Sequence, residues 1–230
     1  MAHLHPRGVN HLALSTCDMK HQLDFWCNTL GLPLKALYWM HGIPDAMHGF
    51  VELAPDSYIA FVQHPKNTNE VEFGVSHANG GGGEVRGGTM QHLALHVDTL
   101  EDLLAMRDRL RSAGVQVLGP LDHGMVKSMY FEGPEGLNLE IATGTGIDAE
   151  AWIDPEVTEL CGISAEELAS FKAPAVYERP AEPVAQPAEP HPDNVRAAHD
   201  PELWAKITSM PDDFVWERFS ETTPPMPRQS

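Results

Sequence analysis

Apolar and polar residues alternate along two stretches of the chain that share the tetrapeptide His-Leu-Ala-Leu. The first copy begins at His11 and the second at His92, 81 residues later. Successive side chains of a strand point to opposite faces, so in each copy the leucines share one face, and the histidine and alanine share the other. The pattern predicts an internal repeat with a histidine at the same place in each unit.

Each unit has the pattern of a βαβββ module, in which a helix follows the first strand and three further strands complete the unit. The first unit predicts a strand at 9–14, a helix at 19–30 before Gly31, and strands at 34–39, 49–53 and 57–63. The second predicts a strand at 91–97, a helix at 100–113 before Gly114, and strands at 116–118, 126–132 and 138–142. We therefore expect an α+β fold in which two modules, about 8–65 and 88–145, form a curved mixed sheet around a metal cavity.

Residues 146–230 differ in composition and are expected to form an acidic, Pro-rich C-terminal extension of a domain at 1–145. They hold 17 of the 33 acidic residues and 12 of the 19 prolines. Proline recurs too often in 177–192 for a regular helix or a central strand, so an extended arm is expected there. Short helices are predicted from Ser164 to Phe171 and from Asp200 to Ile207. The extension either wraps its own core or a sister subunit, or is disordered.

The charge balance restricts the partners of the protein. The formal net charge is −18, which argues against nucleic acid as a partner and offers no basic stripe to an anionic membrane. The three cysteines have no CxxC spacing, and no apolar run approaches the roughly 20 residues of a membrane-spanning helix. These features favour a cytoplasmic protein, in a reducing compartment where ferrous iron is available.

Three residues that lie opposite the apolar rows form a candidate metal site. The imidazoles of His11 and His92 and the carboxylate of Glu140 are the ligand set that oxygen-using non-haem Fe(II) enzymes prefer. One histidine on a strand is usually a surface residue or a satisfied buried one, but two at equivalent positions of a repeat, in phase with a glutamate, indicate a metal site. The histidines without such support are expected at the surface: His3, His5, His21, His41, His48, His191 and His199.

A doubled βαβββ unit with histidine on both first strands and glutamate on the last resembles the vicinal-oxygen-chelate (glyoxalase/bleomycin resistance/dioxygenase) superfamily. Within it, the segment HGMVKSMYFEGPEGLNLE, from His123 to Glu140, resembles the signature of type I extradiol ring-cleavage dioxygenases. Leu121 and Gly133 depart from that signature at positions peripheral to the chemistry. The resemblance covers about residues 8–145 and does not extend to the acidic tail.

The resemblance implies an Fe(II)-dependent dioxygenase that cleaves the ring of a small-molecule catechol with O2. It assigns the metal to His11, His92 and Glu140, and Mn(II) is the expected substitute for Fe(II). It also implies a homo-oligomer.

The resemblance further implies catalytic roles for residues outside the ligand set. An acid–base histidine is expected about fifteen residues before the second metal ligand, and His77 lies 15 residues before His92; His64 is the substitute. His123 and Tyr130 would donate hydrogen bonds to bound oxygen and to the substrate.

Two other functions remain open within the same superfamily. A metal-dependent isomerase, epimerase or lyase is one alternative, although the glyoxalase-type isomerases use a second glutamate from the first module, and alignment of the modules places Ala60 opposite Glu140. A metal-free ligand-binding protein is the other alternative.

Overall fold

The computed structural model describes residues 4–226. These residues fall into two compact units, one consisting of Pro6–Ala175 and the other of the residues from 176 onward with the first few of the chain. The site residues predicted from the sequence all lie in the first unit. The domain boundary expected at residue 145 stays a prediction.

The first module has the predicted order of one strand, one helix and three strands. Its elements are β1 His11–Thr16, α1 Met19–Leu23 with a π-helix Asp24–Thr29, β2 Leu34–Trp39, β3 Met47–Ala54 and β4 Ser57–Gln63. The strand order is β1-β4-β3-β2, with β1 parallel to β4 and the other pairs antiparallel. The side chain of Asp18 caps α1 by accepting from the backbone N–H of His21.

The second module repeats this arrangement. Its elements are β5 Leu93–His96, α2 Leu100–Ser112, β6 Leu118–Asp122, β7 Lys127–Glu132, a 3₁₀ turn Pro134–Gly136 and β8 Asn138–Thr143. The strand order is β5-β8-β7-β6, again with one parallel pair, β5 and β8. The predicted α+β fold of two βαβββ modules is therefore confirmed, and each module forms its own four-stranded mixed sheet.

Two predicted elements differ from those observed. The helix expected at 19–30 becomes a π-helix from Asp24, where the N–H of Leu30 bonds to the carbonyl of Phe25. The strand expected at 116–118 instead spans Leu118–Asp122 and contains Pro120. A proline is tolerated there because β6 is at the edge of its sheet, where one row of backbone N–H groups has no strand partner.

The apolar core lies on the helix side of both sheets. Trp26 of the π-helix and Leu103 of α2 are fully buried in one cluster with Phe61, Met129 and Ile141 from the strands. Burial of these large apolar side chains is the main force that holds helix and sheet together. The polar face of each sheet is left on the opposite side, as the alternation of residues predicts.

The strand registers show that the repeat is structural as well as sequential. Ala13 of β1 pairs with Ala60 of β4, and the equivalent Ala94 of β5 pairs with Glu140 of β8. The predicted correspondence of Ala60 with Glu140 therefore agrees with the pairing of strands in both modules.

Polar contacts connect the two modules. The carboxylate of Glu135, in the turn between β7 and β8, accepts hydrogen bonds from the backbone N–H of Cys17 (2.6 Å) and the side chain of Gln22 (2.7 Å) in the first module. Arg109 of α2 donates from Nε to the carbonyl of Thr29, at the end of the π-helix, over 2.6 Å. Each contact fixes an element of one module against the other.

Short helices follow β8. In the first unit these are α3 Ala149–Trp152, α4 Pro155–Leu160 and α5 Ala165–Lys172. The helix predicted from Ser164 is confirmed, and a capping box opens it: the Ser164 side chain accepts from the N–H of Glu167, and the Glu167 carboxylate accepts from the N–H of Ser164.

The second unit combines extended chain and helix. The proline-rich segment 177–192 forms neither helix nor strand, as predicted. The helices that follow are α6 Val195–His199, α7 Pro201–Thr208 and α8 Asp212–Phe219. Asp200 caps α7, which confirms the helix predicted from that residue. Among the described residues, 4–226, no helix has the length and apolar character needed to cross a membrane.

Candidate metal centre

His92 and Glu140 are in direct contact on the polar face of the second sheet. The Nε2 atom of His92 lies 3.0 Å from Oε2 of Glu140. The Glu140 side chain is 6% exposed and that of His92 is 35% exposed, so the carboxylate is buried while the imidazole is partly accessible. The contact follows from the register of β5 and β8, which places His92 diagonally across from Glu140.

The spacing of this pair fits a shared metal ion. Two donor atoms bound at right angles, each about 2.1 Å from one ion, lie about 3 Å apart. An imidazole nitrogen and a carboxylate oxygen are also the donor types that Fe(II) and Mn(II) accept.

His11 is not part of this pair. It lies at the start of β1, where Nδ1 is 2.9 Å from Oδ1 of Asn10 and the ring packs edge-on against Phe50 with centroids 5.7 Å apart. Over the described range of the chain, no three His, Cys, Asp or Glu side chains come close enough together to hold a metal ion. The structure thus brings together two of the three predicted ligands within one chain.

Tyr130 and His123 lie beside the pair. The Tyr130 hydroxyl is 3.0 Å from Nε2 of His123, and the Tyr130 ring meets the His92 ring edge-on, with centroids 6.2 Å apart. Tyr130 is the cross-strand partner of Glu140. Burial, and then the negative charge of Glu140, raise the pKa of Tyr130. At neutral pH its hydroxyl therefore keeps its proton and is able to donate a hydrogen bond.

The loop that carries His123 is held by a residue that the sequence pattern did not single out. Gly124 has φ of +82°. The ring of Trp152 from α3 lies 2.8 Å from the ideal position of a Cβ atom at residue 124, which is too close for any side chain there. An isolated tryptophan in an acidic segment gives no periodic signal, so only the folded chain reveals this contact.

The two acid–base candidates are separate from the pair. His77 lies beside a cavity of about 250 Å³, with Nδ1 2.8 Å from the Ser76 hydroxyl and Nε2 3.1 Å from the carbonyl of Glu135. Nδ1 of His64 accepts from the N–H of Lys66. Within residues 4–226 neither histidine is hydrogen-bonded to His92 or Glu140, so their roles stay predictions.

His48 departs from the surface position expected for it. It is only 9% exposed. On β3, Gly49 points towards Met19 of α1 and leaves no room for a side chain, so His48 points to the opposite face. There Tyr38 and Phe50 cover it. The other histidines expected at the surface are exposed where they are described, and His3 lies outside the described residues.

A sequence model of the glyoxalase/bleomycin resistance protein/dioxygenase superfamily matches residues 8–141. This match covers the first module, all but the last few residues of the second, and every residue from His11 to Glu140. The chain belongs to this superfamily. The strand order of the two modules agrees with that membership.

Relatives within the superfamily differ in activity. Biphenyl-2,3-diol 1,2-dioxygenase 2 of Rhodococcus globerulus is 38% identical over 52 residues, which is 23% of this chain and 27% of the dioxygenase. A probable lactoylglutathione lyase of Synechocystis sp. is 26% identical over 134 residues, which is 57% of this chain and 91% of the lyase. The chain thus matches only about a quarter of the dioxygenase's length.

A solved structure supports the fold. The glyoxylase/bleomycin resistance protein/dioxygenase domain from Frankia sp. EAN1pec superposes with a TM-score of 0.50 at 16% sequence identity. The match covers 61% of this chain and 100% of that domain. At this identity the superposition supports the superfamily fold alone.

Proposed function

We propose that the protein is an Fe(II)-dependent extradiol dioxygenase that cleaves the ring of a catechol with O2. The observation that carries the proposal is the contact between His92 and Glu140, with Tyr130 and His123 beside it on the same face. His92 and Glu140 are residue types that bind metals. Tyr130 and His123, beside them, can donate hydrogen bonds. The sequence from His123 to Glu140 and the 52-residue similarity to a biphenyl-2,3-diol dioxygenase add support.

The metal centre of the proposal is shared between two copies of the chain. His92 and Glu140 of one copy supply two ligands, and His11 of a second copy supplies the third. Two observations support this arrangement: His11 is exposed, and no third ligand of its own chain approaches the pair within residues 4–226. A two-fold pair of chains would form two such centres, because in a symmetric dimer each copy gives and receives the same contacts. The protein is accordingly proposed to be a homo-oligomer.

Other residues of the chain are proposed to position the substrate and to transfer its proton. Fe(II), or Mn(II) in its place, would be held by His92 and Glu140 of one copy and His11 of the second, and would supply Lewis-acid chemistry that lowers the pKa of the catechol. Tyr130 donates a hydrogen bond to the substrate oxygen, and His123 holds the Tyr130 hydroxyl in place. His77 is proposed to accept the catechol proton, with His64 as the substitute.

Anaerobic reconstitution with Fe(II) followed by an oxygen-electrode assay on a panel of catechols tests the proposal. We expect oxygen uptake matched one-to-one by ring-cleaved product, and loss of at least about a hundredfold in rate for His92→Ala, because a metal ligand is removed. His96→Ala is the matched control, since His96 lies on the same face of β5 but pairs with Asp98. Stoichiometric iron binding without oxygen uptake on any catechol would contradict the reaction but not the metal site.

A metal-dependent isomerase or lyase is the second candidate. The similarity to the Synechocystis protein supports it, because that match covers 91% of the lyase. Ala60 argues against it, since alanine stands where the register of the second module has Glu140. Turnover of a substrate under strictly anaerobic conditions would favour this candidate over the dioxygenase.

A further inference from the structure

A cavity of about 250 Å³ lies where the two modules meet, within the first unit. Its walls come from the end of β1, the linker between the modules and the turn that precedes β8. Its volume is far above the roughly 30 Å³ of one water molecule and below the roughly 300–1,000 Å³ of sites for drug-sized ligands. The size therefore suits a small organic molecule. Among the residues that the proposed function uses, His77 lines the cavity and the three metal ligands do not.

Two asparagines of the cavity wall have side-chain amides that are held in one orientation. Nδ2 of Asn67 donates to the carbonyls of Thr16 and Val62, over 2.9 and 3.2 Å. Nδ2 of Asn138 likewise donates to two backbone carbonyls, over 3.1 and 3.3 Å. A reversed amide would place its oxygen against two carbonyl oxygens, so both side chains keep the orientation in which nitrogen faces the backbone.

The same hydrogen bonds leave the side-chain oxygens of Asn67 and Asn138 without a donor. Within residues 4–226, Oδ1 of each accepts no hydrogen bond, and neither atom is buried. Both oxygens are therefore accessible acceptors, whereas the N–H groups of the two amides are already used. A ligand that meets these side chains has to supply the donors.

The charge of the cavity wall is negative. Glu70 and Glu135 line the cavity, and no lysine or arginine of the described residues does. Burial would raise the pKa of Glu135, but hydrogen bonds from uncharged groups, such as the backbone N–H of Cys17, hold it below its ordinary value. The carboxylate is therefore ionised at neutral pH, and the wall disfavours an anion and favours a cation.

The cation that suits this cavity is organic. A bare metal ion would fill only a small part of the volume. Over residues 4–226, no three His, Cys, Asp or Glu side chains are close enough together to hold one. Leu14 and Leu137 also line the wall, and they offer contact to an apolar group.

We propose that the cavity binds a small organic ammonium ion, whose N–H groups donate to Oδ1 of Asn67 and of Asn138. The negative wall attracts the charge of the ligand, and the two leucines contact its hydrocarbon part. This site goes beyond the proposed function, because it requires neither a metal ion nor a catechol.

Binding of three probes to the metal-free, full-length protein tests the site. Cyclohexylammonium, cyclohexanol and cyclohexanecarboxylate have the same ring and differ in charge and in the number of hydrogen-bond donors. Calorimetric titration at pH 7 should show the ammonium bound at least about tenfold more tightly than the alcohol, because hydrogen bonds from a charged donor are stronger. The carboxylate should bind most weakly of the three.

Variants locate the contact. The double variant Asn67→Ala/Asn138→Ala should bind cyclohexylammonium about tenfold more weakly than wild type, with a smaller loss for cyclohexanol. Asn28→Ala is the matched control, because Asn28 donates to Asp24 and does not line the cavity; it should leave both affinities unchanged. If the double variant does not fold, NMR of the wild-type protein replaces it. The side-chain amide signals of Asn67 and Asn138 should shift on adding cyclohexylammonium, and those of Asn28 should not.

Three outcomes overturn the site. The first is equal affinity of the wild-type protein for the ammonium and the carboxylate, the second is a folded double variant that binds the ammonium as wild type does, and the third is NMR signals of the two asparagines that do not shift. A protein that binds the ammonium but consumes no oxygen with any catechol would retain this site and lose the dioxygenase proposal. The reverse result would remove this site alone.

Discussion

At the scale of single residues, Glu135 connects the modules with few atoms. Its backbone has φ of +57°, a conformation that disfavours side chains other than glycine, asparagine and aspartate. The position directs the carboxylate at Cys17 and Gln22 of the first module. A glycine would adopt this backbone conformation with less strain. The glutamate therefore contributes through its carboxylate and not through its backbone.

Loss of the Glu135 carboxylate should destabilise the contact between the modules. We expect Glu135→Ala to lower the free energy of unfolding by about 2–4 kcal/mol, since two hydrogen bonds to a charged group are lost. Urea denaturation measures the change, and Glu132→Ala is the control, because Glu132 lies nearby on β7 but is exposed. A loss in Glu135→Ala no larger than in the control would show that the contact does not stabilise the fold.

The same carboxylate gives stability a dependence on pH. Burial alone would raise the pKa of Glu135, but the hydrogen bonds from the Cys17 backbone and from neighbouring side chains outweigh it and hold the pKa below its ordinary value of 4.5. A lowered folded pKa means that the contribution is present above pH 4.5 and is lost as the pH falls through the folded value. Glu135→Gln should therefore be less stable than wild type at pH 7, and the difference should shrink in acid. A difference independent of pH would contradict this account.

His48 shows why some residue environments could not be predicted from sequence. The alternation of β1, β5 and β8 correctly assigned faces to His11, His92 and Glu140, because leucine and isoleucine mark the core side of those strands. On β3 the core side is marked by Val51 and Leu53, so the alternation places His48 on the polar face. His48 is buried on that face because the rings of Tyr38 and Phe50 cover it, and the alternation of residues does not reveal this packing.

At the scale of elements, α3 supports the loop between β6 and β7. Gly124→Ala should cost about 1–2 kcal/mol from its φ of +82° and more from the clash with the Trp152 ring. In a Trp152→Ala background only the first part should remain, which gives a coupling of about 1 kcal/mol in a double-mutant cycle. Gly114→Ala is the matched control, with φ of +84° and nothing within 4 Å of the added atom. Strictly additive effects at 124 and 152 would show that the ring does not contact the loop in solution.

The predicted bounds of an element were most accurate where a single sequence pattern defined both of its ends. The strands at 34–39 and 57–63 were predicted to the residue, because turn residues border each apolar run. The π-helix was not predicted, since a change from i→i+4 to i→i+5 bonding at Asp24 moves the apolar residues only slightly around the axis. The position of β6 was missed because proline is unfavourable inside a strand, and the edge location that tolerates Pro120 was not visible in the sequence.

At the scale of the whole molecule, the repeat predicted which positions are equivalent but not how far apart they lie. His11 and His92 occupy matching places in their modules, yet only His92 contacts Glu140. The arrangement of one module against the other sets that distance, and it depends on contacts such as those of Glu135 and Arg109, which no repeat encodes.

Mixing two variants should decide whether a second copy completes the centre. His11→Ala and His92→Ala proteins should each fail to bind Fe(II) tightly, because each lacks a ligand in every centre. After dissociation and random reassociation, about half of the dimers are mixed, and each mixed dimer has one intact centre of two. Fe(II) binding should then recover to about a quarter of wild type. No recovery, with subunit exchange verified by a size-shifted tag, would place all three ligands in one chain.

The two modules contribute unequal numbers of site residues, and this determines where substitutions accumulate during evolution. The second module carries His92, Glu140, Tyr130 and His123, whereas the first contributes one metal ligand, His11, and the proposed base His77 lies between the modules. A substitution on the polar face of β2 or β3 therefore alters the surroundings of the metal ligand His11 without removing a residue that the reaction needs. Among descendants of this chain, changes in the accepted compound should accumulate in the first module, while the second module should stay nearly constant for as long as the reaction is under selection.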